Sequence, residues 1–335
     1  MRSVNVEGLS RWYGHEARDL PWRATSDPWA ILLSEVLLQQ TQVARGLEYW
    51  RRLLDRFPTV GSMAEAELDE VMHLWQGAGY YARGRRLHAL AVEVSDPSGP
   101  WKGVLPSPST CDDVVAGFQS LPGIGPYTAA AVASIAHDVP AAVVDGNVRR
   151  VVARQTGVHE PKPADVSSLA QTWMDDAHGH GVAPSVWNQA VMELGATVCR
   201  PRAPHCSACP VQEACTARDH PDGVHAFPAP AKRRTKTERL VALVDVDAEG
   251  RPHLVQRPTS ARFGGLWGPP YLPANDASLV KAQKQRSKAG DVVHLLSHRR
   301  LEVEVWVGHT ERGMDPASKA LSTLDERVLQ TAKKA

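Results

Sequence analysis

The sequence lacks several features that would place the chain in a specialised class of protein. Its 335 residues include five cysteines, too few for a disulfide scaffold in a chain of this length. The longest apolar run, Ala129–Ala136, is far shorter than the ~20 residues that a membrane span needs. The first residues, Met1 to Glu7, lack the apolar segment of a signal peptide. We therefore expect a cytoplasmic protein that does not act at a membrane.

The sequence also has no excess of either charge. There are 38 Lys and Arg against 37 Asp and Glu, a formal charge of +1, so binding to nucleic acid would depend on local basic patches. The hydrophobic fraction of 43% and the charged fraction of 22% are ordinary for globular proteins. They exclude a mainly disordered, collagenous or coiled-coil chain, and the length suits about two domains.

The hydrophobic pattern changes along the chain. From Asp27 to about Met192 it is helical, and Asp27 is predicted to cap the N-terminus of the first of these helices. After Cys215 come several prolines and a basic stretch, and then alternating segments typical of strands, such as Leu301–Gly308. The predicted division is a helical region at 1–225, a Pro-rich basic linker at 226–238, and an α+β domain at 239–335.

The helix that follows Asp27 is predicted at Trp29–Gln42. Further helices are predicted at Ala64–Leu74, Ala82–Val94, Cys111–Phe118, Tyr127–Ala136, Gly146–Gln155, Val166–Ala177, Pro184–Leu194 and near Ala277–Arg286. Strands are predicted at Arg239–Asp247 and Arg251–Gln256, as well as at Leu301–Gly308.

Four of the five cysteines form a compact set with the spacing Cys199-x6-Cys206-x2-Cys209-x5-Cys215. Four thiolates so close in sequence can bind one [4Fe-4S] cluster. Zinc is the alternative, but zinc sites usually have two short Cys-x2-Cys pairs, and this set has one. The fifth, Cys111, is interpreted as a small core residue.

The loop between the first two cysteines of the set carries Arg200 and Arg202. Cations on a rigid loop suit contact with DNA phosphates, although a solvated basic face would have the same composition.

A glycine-rich turn, Leu121 to Thr128, precedes a run of small apolar residues. Gly123 and Gly125 permit a tight hairpin whose backbone N–H groups can hold a phosphate without reading base sequence. Many helical hairpins use glycine for packing alone.

Asp145, followed by Gly146 and Asn147, has two interpretations: a helix cap, or a carboxylate that stabilises positive charge developing on a sugar.

Glu35 lies between apolar residues in the stretch Leu33 to Gln42. Burial of a carboxyl group raises its pKa and makes it a usable proton donor near neutral pH. The structural alternative is an ion pair with Arg23 or Arg45.

Together these segments resemble the MutY family of adenine DNA glycosylases, within the helix-hairpin-helix/Gly-Pro-Asp superfamily. The resemblance covers about residues 10 to 225 and rests on Leu20–Arg23, Ser34–Gln42, His73–Trp75, Gly79–Arg83, Leu121–Thr128, Asp145–Val148, Trp187–Ala190, Glu193–Ala196 and the four cysteines. It implies an all-α helix-hairpin-helix glycosylase domain with a [4Fe-4S] cluster loop. The related endonuclease III branch cuts the strand through a lysine Schiff base, and the corresponding position here is Tyr127, which cannot form an imine.

The resemblance assigns roles to individual residues. Glu35 would protonate adenine N7, Asp145 would stabilise the oxocarbenium-like sugar, Asn147 would orient Asp145, and Tyr127 would hydrogen-bond beside them. The roles at the DNA are base flipping, adenine contacts and insertion into the duplex. Adenine contacts are assigned to Arg23 and Gln189, and insertion near the lesion to Gln39 and Tyr81.

The C-terminal region resembles the Nudix-like domain of the same family more weakly. Ala277–Gly290 has no glutamate, so nucleotide hydrolysis is not expected. In the family this domain recognises 8-oxoguanine through a Phe-Ser-His loop, and the chain has Ser297 and His298 preceded by Leu296. A Ser-His pair in a turn is also common by chance.

The resemblance thus implies a monomeric enzyme that removes adenine mispaired with 8-oxoguanine or guanine in double-stranded DNA and that, in a bacterium, associates with the nucleoid. One alternative is removal of thymine or uracil from mismatches, which relatives with Tyr at the hairpin position perform. Another is a non-catalytic protein that binds damaged DNA, against which the presence of both Glu35 and Asp145 argues.

Overall fold

The computed structural model describes residues 4–229 and 235–334. Within them the chain forms two compact units, each built from separate stretches of sequence. The first unit combines Met1–Gln40, Leu54–Ser62 and Ala89–Ala231, and the second combines Thr41–Leu53, Met63–His88 and Lys232–Ala335. In the part of the chain that is described, no helix has both the length and the apolar character needed to cross a bilayer.

Helices account for most of the regular structure before the cysteine loop. They are α1 (Val6–Glu16), α2 (Pro28–Leu38), α3 (Val43–Arg56), α4 (Val60–Ala64), α5 (Leu68–Trp75), α6 (Ala82–Ser95), α7 (Val114–Gln119), α8 (Pro126–His137), α9 (Gly146–Thr156), α10 (Pro163–Gly179) and α11 (Pro184–Glu193). A π-helical turn, Leu194–Val198, follows α11 and leads into the loop. The predicted helical character of this region is confirmed, and α1 and α3 are two helices that the pattern did not predict.

Helix α2 begins as its sequence predicts and ends earlier. The Asp27 carboxylate accepts a hydrogen bond from the N–H of Trp29 at 3.0 Å, and Pro28 occupies the first helical position. The predicted end at Gln42 is wrong: the helix stops at Leu38 because Gln39 is extended and Gln40 has a left-handed φ of 63°.

Helices α2 and α8 lie at the centre of the first unit. Every residue from Trp29 to Leu37 on α2 is buried, and so is every residue from Thr128 to Ser134 on α8. The small side chains of α8 allow it to pack closely against α2, α7 and α11. A second core joins α1, α9, α10 and α11 around Trp173, Met174 and Trp187. Packing thereby fixes the middle of α2 and the first turn of α8, which carry side chains that the candidate site uses.

The second unit contains a four-stranded mixed sheet. The C-terminal part of this unit has the elements β1 (Lys236–Val246), β2 (Val255–Gln256), β3 (Trp267–Gly268), β4 (Tyr271–Pro273), α12 (Leu279–Gln283), β5 (Ser287–Leu295), β6 (Arg299–His309) and α13 (Thr323–Ala332). Strands β2 and β3 pair with each other and not with the four-stranded sheet. The strand order is β4-β1-β6-β5, with β1 parallel to β6 and the other neighbours antiparallel. Helix α13 packs its buried face on β5 and β6. The expected C-terminal region of mixed helix and sheet is therefore present.

The division of the chain into 1–225, a linker at 226–238 and 239–335 stays a prediction. Strand β1 begins at Lys236, inside the predicted linker, because its pairing with β6 extends to Arg299. Residues 230–234 of that linker lie outside the described residues.

Candidate active site

Glu35 is a buried carboxyl group in the middle of α2. The hydroxyl of Tyr127, in the first turn of α8, donates a hydrogen bond to its Oε2 at 2.6 Å. Burial raises the pKa of Glu35 to about 7, and the negative charge of Asp145 adds to this, while the Tyr127 hydrogen bond and the charge of Arg23 act in the opposite direction. A carboxyl group with this pKa can both hold and release a proton near neutral pH.

Asp145 is the N-cap of α9, as its sequence context predicts. One carboxylate oxygen accepts the N–H of Val148 and the other accepts the side-chain amide of Asn147, both at 2.7 Å. Burial raises the pKa of Asp145, whereas these hydrogen bonds and the charge of Arg150 lower it. Arg150 also donates to the Asn147 Oδ1 at 2.8 Å, so three groups fix the orientation of one carboxylate. The cap and a catalytic role are compatible, because the cap uses one face of each oxygen.

Tyr127 and Asp145 lie on the wall of one open cavity of about 440 Å³. The remaining wall is formed by Pro126, Ala142, Val144, Gly146, Arg149, Pro163, Val166 and Ser167. This volume is in the usual range for a small-molecule site. Tyr127 thus joins the buried Glu35 to a cavity that a base and a sugar can enter.

The α7–α8 hairpin has the geometry that its glycines predict. Gly123 has a left-handed φ of 79°, and Gly125 is the N-cap of α8. Both glycines are exposed. A Cβ added at Gly125 would meet no protein atom within 4 Å, so packing within the protein does not require glycine at this position. The open space in front of the N-terminus of α8 is available to a backbone phosphate.

The four clustered cysteines come together around a single cavity. Cys199, Cys206, Cys209 and Cys215 all line it, and none forms a disulfide. Burial, together with the charges of the other three sulfurs, raises the pKa of the Cys209 thiol to about 11. Four thiolates in such a place need a compensating cationic centre, which fits a metal cluster. Arg154, buried behind the loop, donates to the Cys199 Sγ at 3.3 Å.

The remaining cysteine and the two loop arginines lie apart from this cavity wall. Cys111 is half-buried, with its Sγ 3.6 Å from the carbonyl of Ser107, as a packed residue would be. Arg200 donates to the carbonyl of Ala203 at 3.1 Å and is held within the loop, whereas Arg202 is exposed.

Comparison with known proteins agrees with this geometry. The family described as HhH-GPD superfamily base excision DNA repair protein matches residues 33–175. Adenine DNA glycosylase from Mus musculus is 37% identical over 368 residues, covering 89% of this chain and 69% of the mouse protein. The Homo sapiens protein of the same name is 35% identical over 382 residues, covering 92% and 67%. The chain belongs to the adenine DNA glycosylase family.

Bacterial and structural relatives extend the comparison. The adenine DNA glycosylase of Mycolicibacterium smegmatis is 40% identical over 217 residues, covering 62% of this chain and 68% of that protein. A solved structure of a thermostable thymine-DNA glycosylase superposes with a TM-score of 0.54 at 26% identity, covering 63% of this chain and 93% of that one. The family predicted from the sequence and the helix-hairpin-helix glycosylase fold of the helical region are both confirmed.

Arg23, predicted to contact adenine, is anchored by a residue that the sequence analysis did not single out. Its guanidinium donates to the buried Glu193 at 2.7 Å, and Arg18 binds both oxygens of the same carboxylate. Burial alone would raise the pKa of Glu193, but these hydrogen bonds outweigh it and lower the pKa to about 2. The alternative in which Arg23 forms an ion pair with Glu35 is therefore replaced by an Arg18–Glu193–Arg23 network. Glu193 is the first residue of the Glu193–Ala196 segment, on which the family resemblance partly rests. That segment is the sequence signal from which Glu193 could have been singled out.

Gln189, also predicted to contact adenine, lies on α11. Its side-chain amide donates to the carbonyl of Ser185 at 3.0 Å. It is one helical turn before Met192, whose sulfur lies 3.9 Å from the Tyr127 hydroxyl. Gln189 therefore lies on a helix face that is close to the site. Its contact with adenine stays a prediction.

The two residues predicted to insert into the duplex have neighbours better placed for that role. Tyr81 is 5% exposed and packed in a core, so it cannot enter a duplex without leaving the protein interior. The adjacent Tyr80 is 44% exposed and has a left-handed φ of 48°. Gln39 donates to the Thr128 hydroxyl at 3.1 Å, whereas the next residue, Gln40, is exposed. Insertion by Gln39 and Tyr81 stays a prediction, and the burial of the Tyr81 ring does not favour it.

Ser297 and His298 lie in the turn between β5 and β6. The Ser297 hydroxyl is hydrogen-bonded to the hydroxyl of Tyr80, which belongs to the same compact unit. Leu296 closes the turn through its N–H to the carbonyl of Arg299 at 2.8 Å, and its side chain packs against the sheet core. Both side chains of the Ser-His pair are exposed.

Proposed function

We propose that this chain removes adenine mispaired with 8-oxoguanine or guanine from double-stranded DNA and leaves an abasic site without cutting the strand. The observation that supports this most directly is the pair of carboxyl groups, the buried Glu35 and the half-buried Asp145, with Tyr127 hydrogen-bonded to the first and sharing a cavity with the second. One carboxyl group that holds a proton and a second that holds a charge are what hydrolysis of a glycosidic bond requires.

The reaction begins when the mispaired adenine is flipped out of the duplex into the cavity. Tyr127 donates its hydroxyl hydrogen to the Glu35 Oε2, so the proton of the neutral carboxyl group is carried by Oε1. Transfer of that proton to adenine N7 turns the base into a neutral leaving group. Breaking the C1′–N9 bond then places positive charge on the sugar.

Asp145 stabilises that positive charge. Its two oxygens are held by the Val148 N–H and the Asn147 amide, which keeps the carboxylate in a single orientation before the bond breaks. Water adds at C1′ and gives up a proton to the Glu35 carboxylate, which restores the neutral carboxyl group and completes the hydrolysis. Because the hairpin position is Tyr127 and carries no amine, no Schiff base forms and β-elimination is not part of the reaction.

The contacts to DNA follow from the exposed groups. Gly123 and Gly125 offer backbone N–H groups to a phosphate at the N-terminus of α8, and Arg202 with Arg200 adds positive charge from the cysteine loop. Arg23 and Gln189 contact the flipped adenine. Gln40 and Tyr80 are proposed in place of Gln39 and Tyr81 as the side chains that enter the duplex.

The cysteine loop is proposed to hold a [4Fe-4S] cluster through Cys199, Cys206, Cys209 and Cys215. These residues fit the group, since they line one cavity, form no disulfides, and are half-buried where four negative charges need compensation. When bound, the cluster supplies a rigid, cationic anchor for the loop that carries Arg200 and Arg202. Arg154 steadies the Cys199 sulfur from behind.

The C-terminal unit is proposed to be Nudix-like and to recognise 8-oxoguanine through Ser297 and His298. Their hydroxyl and imidazole groups can bond to the N7 and O8 edge of the modified base. The hydrogen bond between Ser297 and Tyr80 supports this, because it brings the turn to an exposed aromatic ring that can stack on bases. Leu296 replaces the family's Phe and packs inward, so it contributes no ring to the contact.

The test is single-turnover excision from matched duplexes. They contain adenine opposite 8-oxoguanine, adenine opposite guanine, or thymine or uracil opposite guanine, and each is analysed with and without alkali. We expect breaks after alkali alone, fastest for adenine opposite 8-oxoguanine. Release of thymine or uracil instead would assign the chain to the thymine branch, of which the superposed thymine-DNA glycosylase is an example. Binding without release would make it a damage-binding protein.

A further inference from the structure

A group of three potential metal ligands lies outside both the excision site and the cysteine cavity. His159 follows the C-terminus of α9, and His220 and Asp222 lie in the segment after the last cysteine of the loop. Their donor atoms are all within 4.8 Å of one another. The Asp222 Oδ2 is 3.6 Å from the His159 Nε2 and 3.7 Å from the His220 Nδ1, so one carboxylate oxygen lies beside both rings.

The hydrogen bonds around these rings determine where their lone pairs point. The His159 Nδ1 is 3.2 Å from the carbonyl oxygen of Ala226, which can only accept, so Nδ1 carries the hydrogen and the Nε2 lone pair is directed at Asp222. The His220 Nδ1 accepts the backbone N–H of Asp222 at 3.2 Å, so this nitrogen is unprotonated, and a metal ion bound to it would replace that long hydrogen bond. The Asp222 carboxylate lies beside both unprotonated nitrogens, an arrangement that a cation between them would stabilise.

The surroundings hold this arrangement in place. The His159 ring stacks on Phe227 with ring centroids 4.1 Å apart, and the His220 ring meets the same Phe227 edge-on at 5.0 Å. Phe227 is buried, and its carbonyl accepts a hydrogen bond from Arg154 at 3.0 Å. The carbonyl of His159 accepts the N–H of Ala229 at 2.7 Å. The ligands are therefore preorganised, and the hydrogen bond from His159 to a carbonyl is the support that a metal-binding histidine usually has.

We propose that His159, His220 and Asp222 bind one divalent transition-metal ion of the zinc type. Two imidazole nitrogens with one carboxylate oxygen suit zinc, whereas calcium and magnesium prefer oxygen ligands throughout. The side chains of His159 and Asp222 are 45% and 61% exposed, so water completes the coordination and the ion exchanges with solvent. Bound there, the ion ties the end of α9, the helix that Asp145 caps, to the segment leaving the cysteine loop.

The first test counts zinc in the purified, iron-loaded protein by equilibrium dialysis and elemental analysis. The variants His159→Ala, His220→Ala and Asp222→Asn are compared with wild type, and His225→Ala, an exposed histidine of the same segment, is the matched control. We expect wild type and the control to bind one zinc more than each of the three variants. Zinc at the four cysteines would be the same in every sample, so the difference isolates this site. Equal zinc in all samples would overturn the proposal.

The second test measures thermal unfolding with added zinc and with a chelator, each at pH 6 and pH 8. Zinc should raise the unfolding midpoint of wild type and of His225→Ala and leave His159→Ala unchanged, because an ion that binds the folded state stabilises it. A midpoint that rises on acidification and ignores zinc would show that protonated histidines pair with Asp222 instead, and would also overturn the proposal. Circular dichroism checks that each variant is folded. Neither test measures excision, so the outcome is independent of the proposed function.

Discussion

At the scale of single residues, the site gives two carboxyl groups different properties through their neighbours. Glu35 accepts one hydrogen bond in a buried setting and has a pKa of about 7. Asp145 has two hydrogen-bond donors and the charge of Arg150 nearby, and these oppose the effect of burial on its pKa. The first is suited to donate a proton and the second to remain an anion.

Replacement of Glu35 by Gln should abolish base release and leave lesion binding nearly unchanged, because the proton donor is lost while the contacts remain. Single-turnover excision and a binding titration measure the two effects. Glu16→Gln, an exposed carboxylate on α1, is the control. Normal turnover by Glu35→Gln would remove Glu35 from its assigned role.

The same variant has a pH-dependent effect on stability. The pKa of Glu35 rises from its ordinary value of 4.5 to about 7 on folding, so its favourable contribution is fully present below 4.5 and is lost as the pH rises to about 7. Glu35→Gln should therefore gain stability relative to wild type across this range, which denaturant unfolding at several pH values measures.

Tyr127→Phe should shift the pH dependence of excision. In wild type the rate should fall as the pH rises through about 7, because Glu35 must be protonated to act. The Tyr127 hydrogen bond lowers the pKa of Glu35, so its removal should raise that pKa and move the falling limb to higher pH. A pH–rate profile of single-turnover excision measures the shift, and a limb that stays in place or moves to lower pH would contradict the assigned coupling.

At the scale of elements, two turns expose the groups that we propose contact DNA. The α7–α8 hairpin presents backbone N–H groups, and the β5–β6 turn presents Ser297 and His298. Each turn is fixed by its flanking elements, the first by the buried face of α8 and the second by the antiparallel pairing of β5 with β6. The positions of these groups therefore depend on packing at the base of each turn.

Gly125→Ala should weaken DNA binding about tenfold, equal to ~1.4 kcal/mol, without loss of stability. The added methyl group meets no protein atom within 4 Å, so its effect would fall on the phosphate that approaches the hairpin. Binding titration and thermal unfolding separate the two effects. Gly179→Ala, where an added Cβ also meets nothing, is the matched control. Unchanged affinity would mean that DNA does not approach the hairpin closely.

Combined Ser297→Ala and His298→Ala should reduce the preference for 8-oxoguanine over guanine opposite adenine, because the groups that can bond to the modified edge are removed. The ratio of single-turnover rates on the two duplexes measures this preference. His309→Ala, exposed at the end of β6, should leave the ratio unchanged. If the double variant retained the wild-type ratio, the turn would not be the site of recognition.

At the scale of the whole molecule, the cysteine loop is connected to both the site and the core. Arg150 donates to the carbonyl of Cys199 at 2.7 Å and also to Asn147, which holds Asp145. Arg154 links the loop to the carbonyl of Phe227. A group bound by the cysteines would therefore stabilise the backbone near the catalytic carboxylate as well as the loop itself.

Purified protein should be brown, absorb at ~410 nm and contain about four irons per chain, since four cysteine thiolates are available as ligands. Absorption spectroscopy and elemental analysis measure this. Cys111→Ser should keep the colour, because Cys111 does not line the cysteine cavity. Zinc without iron in the preparation would overturn the cluster.

The sequence by itself determined the features that depend on neighbours along the chain. These are the cap of α2 at Asp27, the glycine hairpin before α8, the apolar helix that buries Glu35, and the spacing of the four cysteines. Each is fixed by a few consecutive residues or by a periodic pattern, so it can be recognised without knowledge of the fold. The family follows from the same segments.

Tertiary structure alone decided which distant groups meet. Tyr127 reaches Glu35 across 92 positions, Arg23 finds Glu193 across 170, and His159 meets His220 and Asp222 through the packing of Phe227. It also decided that Tyr81 is buried and Tyr80 exposed. The sequence does not show which of the two is buried, because they are adjacent residues of the same type. Such choices depend on the direction in which packing turns each side chain, and that direction is a property of the assembled core.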